Sequence, residues 1–76
     1  MNRIRRQRLH AIYEQITKLQ ERLRDMIDEE QAALDNMPES LQTSERGQEM
    51  EDAINSMEEA VESLGFAADS IEEVTG

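Results

Sequence analysis

The fold is decided by the stretch Asn36-Met37-Pro38-Glu39-Ser40-Leu41-Gln42-Thr43-Ser44-Glu45-Arg46-Gly47, which separates two long segments of heptad-spaced apolar residues. Pro38 cannot continue a helix from its interior and disfavours the α conformation at the residue before it, so the first helix is expected to end at about Asp35. Residues 38–42 are long enough for one helical turn, with Leu41 facing inward. We therefore predict a bend between two helices.

The second helix is expected to begin just after two hydroxyl residues, Thr43 and Ser44. A hydroxyl at the N-cap accepts a hydrogen bond from the first turn, and Glu45 is favourable at the positive end of the helix dipole. We expect Ser44 to be the N-cap. The bend therefore covers residues 36–44.

Helix one is expected to run from about residue 2 to residue 35. Six apolar residues follow spacings of three and four, which predicts a seam that packs on another helix. They are Leu9, Ile12, Ile16, Leu19, Leu23 and Met26. Tyr13, Ile27 and Leu34 flank the seam and widen it, which is typical of a helical bundle.

Helix two is expected to run from about residue 45 to residue 74, and it carries two apolar stripes. The first predicts the contact with helix one; it contains Gly47, Met50, Ile54, Met57, Val61, Leu64, Ala68 and Ile71. The second repeats every seven residues and contains Ala53, Ala60, Ala67 and Val74. Because its residues are mostly small, the second stripe indicates a subunit interface.

These patterns predict an all-α fold, a coiled-coil-like antiparallel two-helix hairpin that forms a single domain over residues 1–76. A bend near residue 40 places residue i opposite residue 80 − i, so Gly47 is expected to lie opposite Ala33. A hairpin of 76 residues buries too little apolar surface to be comfortably stable alone. We therefore expect a homo-oligomeric helical bundle, such as a dimer with four helices or a larger assembly.

The composition excludes several classes of protein. There is no Cys, which excludes disulfides and thiolate zinc sites. The apolar runs are too short for a membrane span, and the first residues are charged where a signal peptide needs apolar ones, so a cytoplasmic location is expected. The formal net charge is −10, which disfavours direct DNA binding.

The charge is distributed unevenly along the chain. Residues 1–24 carry seven basic and two acidic residues, a balance of +5, whereas residues 25–76 carry one Arg and sixteen acidic residues, a balance of −15. The basic cluster consists of Arg3, Arg5, Arg6 and Arg8, with His10 and Tyr13 one helical turn further along.

The basic cluster has two interpretations. In the first, its arginines pair with Asp69, Glu72 and Glu73, which a hairpin brings to the same end of the molecule, and the cluster is structural. In the second, the arginines bind a phosphate-bearing ligand, while His10 and Tyr13 hydrogen-bond to it or stack on a base. A second candidate anion site is the start of helix two, with Ser44, Arg46 and Gly47.

No catalytic or metal site is predicted, and we expect neither enzymatic activity nor a cofactor. The hydroxyls of Ser40, Thr43 and Ser44 are expected at the bend, whereas the single His10 is expected at the far end. A di-iron bundle would need a Glu three residues before a His, and Gln7 holds that position.

The bend and the start of helix two also carry a resemblance. The run N-x-P-E-S-x-Q-x-S-E-R-G at residues 36–47, followed by the repeated E-x-A-I/V pattern of residues 51–62, resembles short helical-hairpin proteins of bacteriophages and prophages. Small phage proteins of this sort include counter-defence factors, among them oligomeric sponges that sequester nucleotide signals of host immunity. The resemblance implies such a role in the cytoplasm of a bacterial host.

Three functions therefore remain at the level of sequence. The first is a non-enzymatic sponge, a homo-oligomer that sequesters a phosphorylated nucleotide. The second is an acidic protein-binding module, a nucleic-acid mimic or an inhibitor of a basic host protein, since helix two has many acidic residues without basic neighbours. The third is a structural assembly adaptor, with Phe66 as a contact point.

Overall fold

The computed structural model describes residues 1–75, which contain three helices and no strand: α1 (Arg3–Asp35), α2 (Glu39–Gln42) and α3 (Glu45–Thr75). The prediction of an all-α fold is therefore confirmed. The molecule is an elongated helix pair with principal extents of 58 × 14 × 13 Å. Within the described residues, no helix combines the length and the apolar character that crossing a membrane requires.

The helix ends lie within one or two residues of the predicted positions, for local reasons. Asn2 caps α1, because its Oδ1 accepts a hydrogen bond of 2.8 Å from the amide of Arg5. At the bend Pro38 has φ −55° and ψ 144°, an extended conformation that separates α1 from α2. The Oγ of Ser44 accepts from the amide of Gly47 at 3.4 Å, so Ser44 holds the N-cap position of α3 as predicted.

The bend is closed by a backbone contact at Gly47, which is buried. A Cβ atom at this position would lie 2.0 Å from the carbonyl oxygen of Gln42 and 2.7 Å from that of Leu41. The absence of a side chain at Gly47 therefore lets α2 approach α3. The expectation that Gly47 lies opposite Ala33 is wrong, since Ala33 is exposed. The expectation that Leu41 faces inward is also wrong, because this side chain is 48% exposed.

The two long helices run in opposite directions and pack along their length. The amide of Gln20 donates a hydrogen bond of 3.0 Å to the carbonyl oxygen of Val61, which ties the middle of α1 to the middle of α3. Nearer the bend, Arg24 and Ile27 line a shallow depression together with Glu58 and Val61. Residue i of α1 therefore lies close to residues 81 − i to 85 − i of α3.

The rotation of α1 about its axis differs from the predicted one. Leu9, Ile16 and Leu23 are half-buried as predicted, but Ile12, Leu19 and Met26 are 45–55% exposed. The residues that follow these three in sequence are half-buried in their place. Besides Leu9, Ile16 and Leu23, the buried or half-buried residues of α1 are Tyr13, Thr17, Gln20, Ile27, Glu30 and Leu34. Gln20 is compatible with an inward position because its amide group has the carbonyl oxygen of Val61 as a partner.

The seam predicted for α3 agrees with the structure. Its eight residues, from Gly47 to Ile71, are all buried or half-buried. The resulting core is small, however, since the buried hydrophobic residues among residues 1–75 are Leu34, Ile54 and Ala68. A core of this size leaves most of the apolar surface of the helix pair in contact with water.

Candidate functional site

A groove of about 460 Å³ lies at the end of the helix pair that is remote from the bend. Its lining combines cationic, aromatic and hydrogen-bonding side chains from both long helices: Arg3, Arg6, Gln7, His10, Tyr13, Glu72 and Thr75. The volume falls within the range of about 300–1,000 Å³ that is typical of small-molecule sites. We call this feature the open-end groove.

The helical repeat explains why α1 supplies five of the lining residues. Gln7, His10 and Tyr13 follow Arg3 at spacings of four, seven and ten, and Arg6 follows it at three, so all five share one face of the helix. The N-cap bond of Asn2 fixes the first turn from which Arg3 and Arg6 project. The last turns of α3 add Glu72 and Thr75 from the opposite wall.

His10 and Tyr13 form a stacked aromatic pair inside the groove. Their ring centroids are 6.1 Å apart, and the ring planes differ by 10°. Tyr13 is half-buried between the helices, whereas 62% of the His10 side chain is exposed. The Nε2 of His10 also lies 3.1 Å from Oε1 of Glu14, which holds the imidazole in place. The pair therefore presents flat ring surfaces against which a planar group can stack.

The arginines of the groove are not neutralised by the acidic residues of α3. Among residues 1–75, the single ion pair within 4.0 Å joins His10 to Glu14. The predicted pairing of the basic cluster with Asp69, Glu72 and Glu73 is therefore wrong as a set of direct contacts. Glu72 lines the groove without contacting either guanidinium group, so Arg3 and Arg6 keep their hydrogen-bond donors available.

Some of the predicted site residues line the open-end groove, and others do not. Arg3, Arg6, His10 and Tyr13 come together in the open-end groove. Arg5 and Arg8 do not line it, because they follow Arg3 by two and five residues and are turned about 200° and 140° away around α1.

The second predicted anion site lies at the other end of the 58 Å molecule. There Ser44 and Gly47 are bonded to each other, and Gly47 is buried, so its amide is not available to a ligand. Arg46 is exposed and forms no ion pair among residues 1–75. Within one chain, Ser44, Arg46 and Gly47 therefore cannot act on the same small ligand as the groove.

Three residues of the groove were not predicted as site residues: Gln7, Glu72 and Thr75. Gln7 could have been found from its position one turn after Arg3. Pairing residue i with residues 81 − i to 85 − i indicates Glu72 as a neighbour of residues 9–13 and Thr75 as a neighbour of residues 6–10. Glu72 was expected near the arginines, but only as a partner in an ion pair.

Comparison with known proteins found no family model, no curated protein and no solved structure that matches this chain. The features of the molecule that bear on its function are therefore the groove, the charge distribution and the exposed surfaces. Chemically, the open-end groove offers two guanidinium groups, one carboxylate, one amide and a pair of stacked rings. This combination suits a ligand that carries both an anionic group and a planar ring.

Proposed function

We propose that the protein binds a phosphorylated nucleotide in the open-end groove and sequesters it without chemical change. The proposal rests on one groove in which two arginines without an ion-pair partner among residues 1–75 meet a stacked His–Tyr pair. Arginine binds phosphate through two parallel N–H···O bonds, and aromatic rings stack on bases.

In the proposed complex, Arg3 and Arg6 hold the phosphate, and the base stacks on Tyr13 or His10. The carboxylate of Glu72 accepts hydrogen bonds from the sugar hydroxyls or from the amino group of a base. Its charge also selects against ligands that offer phosphates alone. Two charge-assisted contacts of about 1.5–3 kcal/mol each, together with stacking of about 1–3 kcal/mol, approach the roughly 8 kcal/mol of micromolar binding.

Sequestration is proposed instead of catalysis because the groove lacks a nucleophile with a base beside it. The hydroxyl of Thr75 donates to the carbonyl oxygen of Ile71 at 3.2 Å, and the Nε2 of His10 faces Glu14. The resemblance to phage helical hairpins suggests that the ligand is a signal of host immunity. The proposal thus comprises a coiled-coil-like hairpin that acts as a homo-oligomer in the cytoplasm of a bacterial host.

The proposal is tested by titrating the purified protein with linear and cyclic nucleotides, using calorimetry and native mass spectrometry. We expect a fixed number of nucleotides per chain. Arg3→Ala/Arg6→Ala should weaken binding by about 100-fold or more, since each lost charge-assisted contact contributes about 1.5–3 kcal/mol.

The matched control is Arg5→Ala/Lys18→Ala, which removes the same charge from α1 outside the groove. We expect the control to bind within about threefold of the unmodified protein, because distant exposed charges are screened by salt. Equal loss of binding in both double variants would show a non-specific effect of charge. Unchanged binding by Arg3→Ala/Arg6→Ala, or no binding by the unmodified protein, would reject the groove as the site.

A second candidate function is an acidic module that binds a basic protein. It is favoured by the half of the molecule next to the bend, where residues 25–56 carry ten acidic residues and only Arg46, and where no ion pair forms among the described residues. Unpaired carboxylates in such a row can imitate the phosphates of a nucleic acid. Salt-sensitive capture of a defined basic protein by the unmodified chain, abolished when Glu49 and Glu51 are changed to Gln, would support this function over the first.

A further inference from the structure

One side of the helix pair carries two apolar stripes, and the stripe on α1 is flanked by polar residues, since Leu19 lines a depression with Gln15, Lys18 and Arg22. On α1, Ile12, Leu19 and Met26 are spaced seven residues apart and are 45%, 45% and 55% exposed. On α3 the corresponding stripe is Ala53, Ala60, Ala67 and Val74, also spaced by seven. Met26, Ala53 and Met57 line one shallow depression together with Glu29 and Glu30, so the two stripes lie next to each other. We call this surface the apolar side.

The position of the two stripes follows from the packing. Each of their residues immediately precedes a buried or half-buried residue that faces the other helix, as Leu19 precedes Gln20 and Ala60 precedes Val61. Viewed from one end of an antiparallel pair, the two chains run in opposite directions and therefore rotate in opposite senses. Residues that precede the inward-facing positions thus point to the same side of the pair on both helices. The other side is polar; it carries Arg3, His10, Arg24, Glu58 and Glu72. The open-end groove therefore lies on the side opposite the apolar one.

We propose that the apolar side binds a second copy of this chain, with the two bends at opposite ends of the dimer. This inference does not rest on the proposed nucleotide binding, because the groove remains on the outside. The first reason for a second copy is area. With extents of 58 × 14 × 13 Å, a long side of the pair covers roughly 800 Å², which is about the surface that each partner buries in a stable complex.

The second reason is the shape of the α3 stripe. Ser56, Ser63 and Ser70 lie three residues after Ala53, Ala60 and Ala67, so small residues follow spacings of three and four along this edge of α3. The hydroxyl of Ser70 is satisfied within the helix, since it donates to the carbonyl oxygen of Phe66 at 3.1 Å. Such an edge permits close approach of another helix with equally small residues, at about 8 Å between axes. A copy of α3 has this edge.

A two-fold axis across the apolar side brings both matching stripes together. Leu19 and Ala60 lie within about one helical turn of the same level, because the Nε2 of Gln20 lies between Val61 and Gly65. With the axis at this level and the bends at opposite ends, α3 packs on the α3 of the second copy through small residues. At the same time α1 packs on the α1 of the second copy through Ile12, Leu19 and Met26. The contact is therefore complementary to itself, as a closed dimer requires.

Charge decides the orientation. The bend half, residues 25–56, has a formal balance of −9, whereas residues 1–24 and 57–76 together have a balance of −1. Bends at the same end would place two strongly acidic halves side by side. Bends at opposite ends place each acidic half beside a nearly neutral one, and they bring Arg8 of one copy level with Glu30 of the other. The opposite orientation therefore has the lower repulsion.

Cysteine cross-linking tests both the surface and the orientation, since the chain has no cysteine of its own. Ile12→Cys and Met26→Cys are prepared separately, mixed, allowed to exchange subunits and treated with a short bismaleimide. In the proposed dimer, Ile12 faces Met26 of the other copy, while the two copies of Ile12 are about 21 Å apart, that is 14 residues at about 1.5 Å each. We expect cross-linked heterodimers and few homodimers.

The control is Phe66→Cys, since Phe66 is 65% exposed on the outer face of α3. We expect it to remain uncross-linked. Homodimers of Ile12→Cys would overturn the orientation, because they would show both bends at one end. Cross-linking of Phe66→Cys as efficient as that of the mixture, or no cross-linking at all, would overturn the surface.

Charge substitution gives a second test. Leu19→Glu should raise the dissociation constant of the dimer at least about tenfold, and Phe66→Glu should change it less than about twofold, as measured by native mass spectrometry and sedimentation. Circular dichroism reports whether each variant is helical. A monomer at all concentrations for the unmodified chain, or equal effects of the two substitutions, would overturn the proposal.

Discussion

Gly47 is the residue at which the bend tolerates least change. The space for its missing side chain is filled by backbone atoms of Leu41 and Gln42, the nearer of them 2.0 Å from an ideal Cβ. Backbone atoms cannot rotate away, so Gly47→Ala has to displace α2. Although alanine favours a helix by about 1 kcal/mol, we expect the overpacking to lower the free energy of unfolding by about 1–3 kcal/mol net. Urea denaturation followed by circular dichroism measures this change.

Gly65 provides the matched control in the same helix. A Cβ there would lie 3.1 Å from the Nε2 of Gln20, which is the end of a movable side chain. We expect Gly65→Ala to change the free energy of unfolding by less than about 1 kcal/mol, since the gain in helix propensity offsets the weakened bond to Val61. Equal effects at both glycines would contradict the role assigned to Gly47.

At the scale of the helix, Leu34 and Leu41 test which residues close the end of the pair. Leu34 is 6% exposed and belongs to the core, whereas Leu41 is 48% exposed. Leu34→Ala should lower the free energy of unfolding by about 2–4 kcal/mol, because it removes buried methyl groups and leaves a cavity. Leu41→Ala makes the same chemical change and should lower it by only about 0.5–1 kcal/mol. Urea denaturation measures both changes. A larger loss for Leu41→Ala than for Leu34→Ala would support the inward position of Leu41 that the sequence predicted.

The sequence was sufficient to predict the helices because their ends carry local signals. Pro38 and Ser44 determine the conformation of the bend from their own chemistry, and the structure has helix boundaries near the predicted ones. The rotation of α1 could not be predicted in this way. Apolar residues occupy neighbouring positions in sequence, as at Met26 and Ile27, so counting spacings of three and four from Leu9, Ile16 and Leu23 fits two rotations about 50° apart.

Gln20 favoured the wrong prediction of the rotation of α1. A polar residue in a seam counts against that seam when only the sequence is considered, and Leu19 is the better candidate by hydropathy. The structure favours Gln20 because a backbone carbonyl of α3 accepts its amide hydrogen bond. Contacts of this kind depend on the partner helix, so they are visible only after the two helices are packed together. The consequence is an exposed row of large apolar residues where the sequence predicted a buried one.

Only part of the candidate site could be predicted from the sequence. The helical repeat of α1 alone separates Arg3 and Arg6 from Arg5 and Arg8, whereas the sequence cluster suggested one group of four. The contributions of Glu72 and Thr75 require the antiparallel register in addition. Arg3 and Arg6 form no ion pair among residues 1–75. This result depends on side-chain geometry, which the spacing of residues in the sequence does not determine.

At the scale of the whole molecule, the surplus of acidic residues makes stability depend on salt. The chain has a formal charge of −10, and the one ion pair among residues 1–75 involves His10, so few attractions offset the repulsion. Folding brings the acidic residues of the bend half closer together than they are in the unfolded chain. Salt screens this repulsion, so we expect stability to rise with ionic strength, whereas a protein held together by ion pairs would lose stability.

The expected gain is about 1 kcal/mol between about 0.02 M and 0.5 M NaCl, a change that shortens the Debye length from roughly 20 Å to roughly 4 Å. Thermal denaturation at several salt concentrations measures it. Glu49→Gln/Glu51→Gln should raise the stability at low salt and flatten the dependence, because both residues belong to the bend half, where Arg46 is the one cation. Glu14→Gln/Glu21→Gln removes the same charge among the basic residues of α1, so it should not raise the stability at low salt. If both double variants behaved alike, total charge and not its concentration near the bend would govern stability, and the electrostatic reason for placing the two bends of the proposed dimer at opposite ends would be lost.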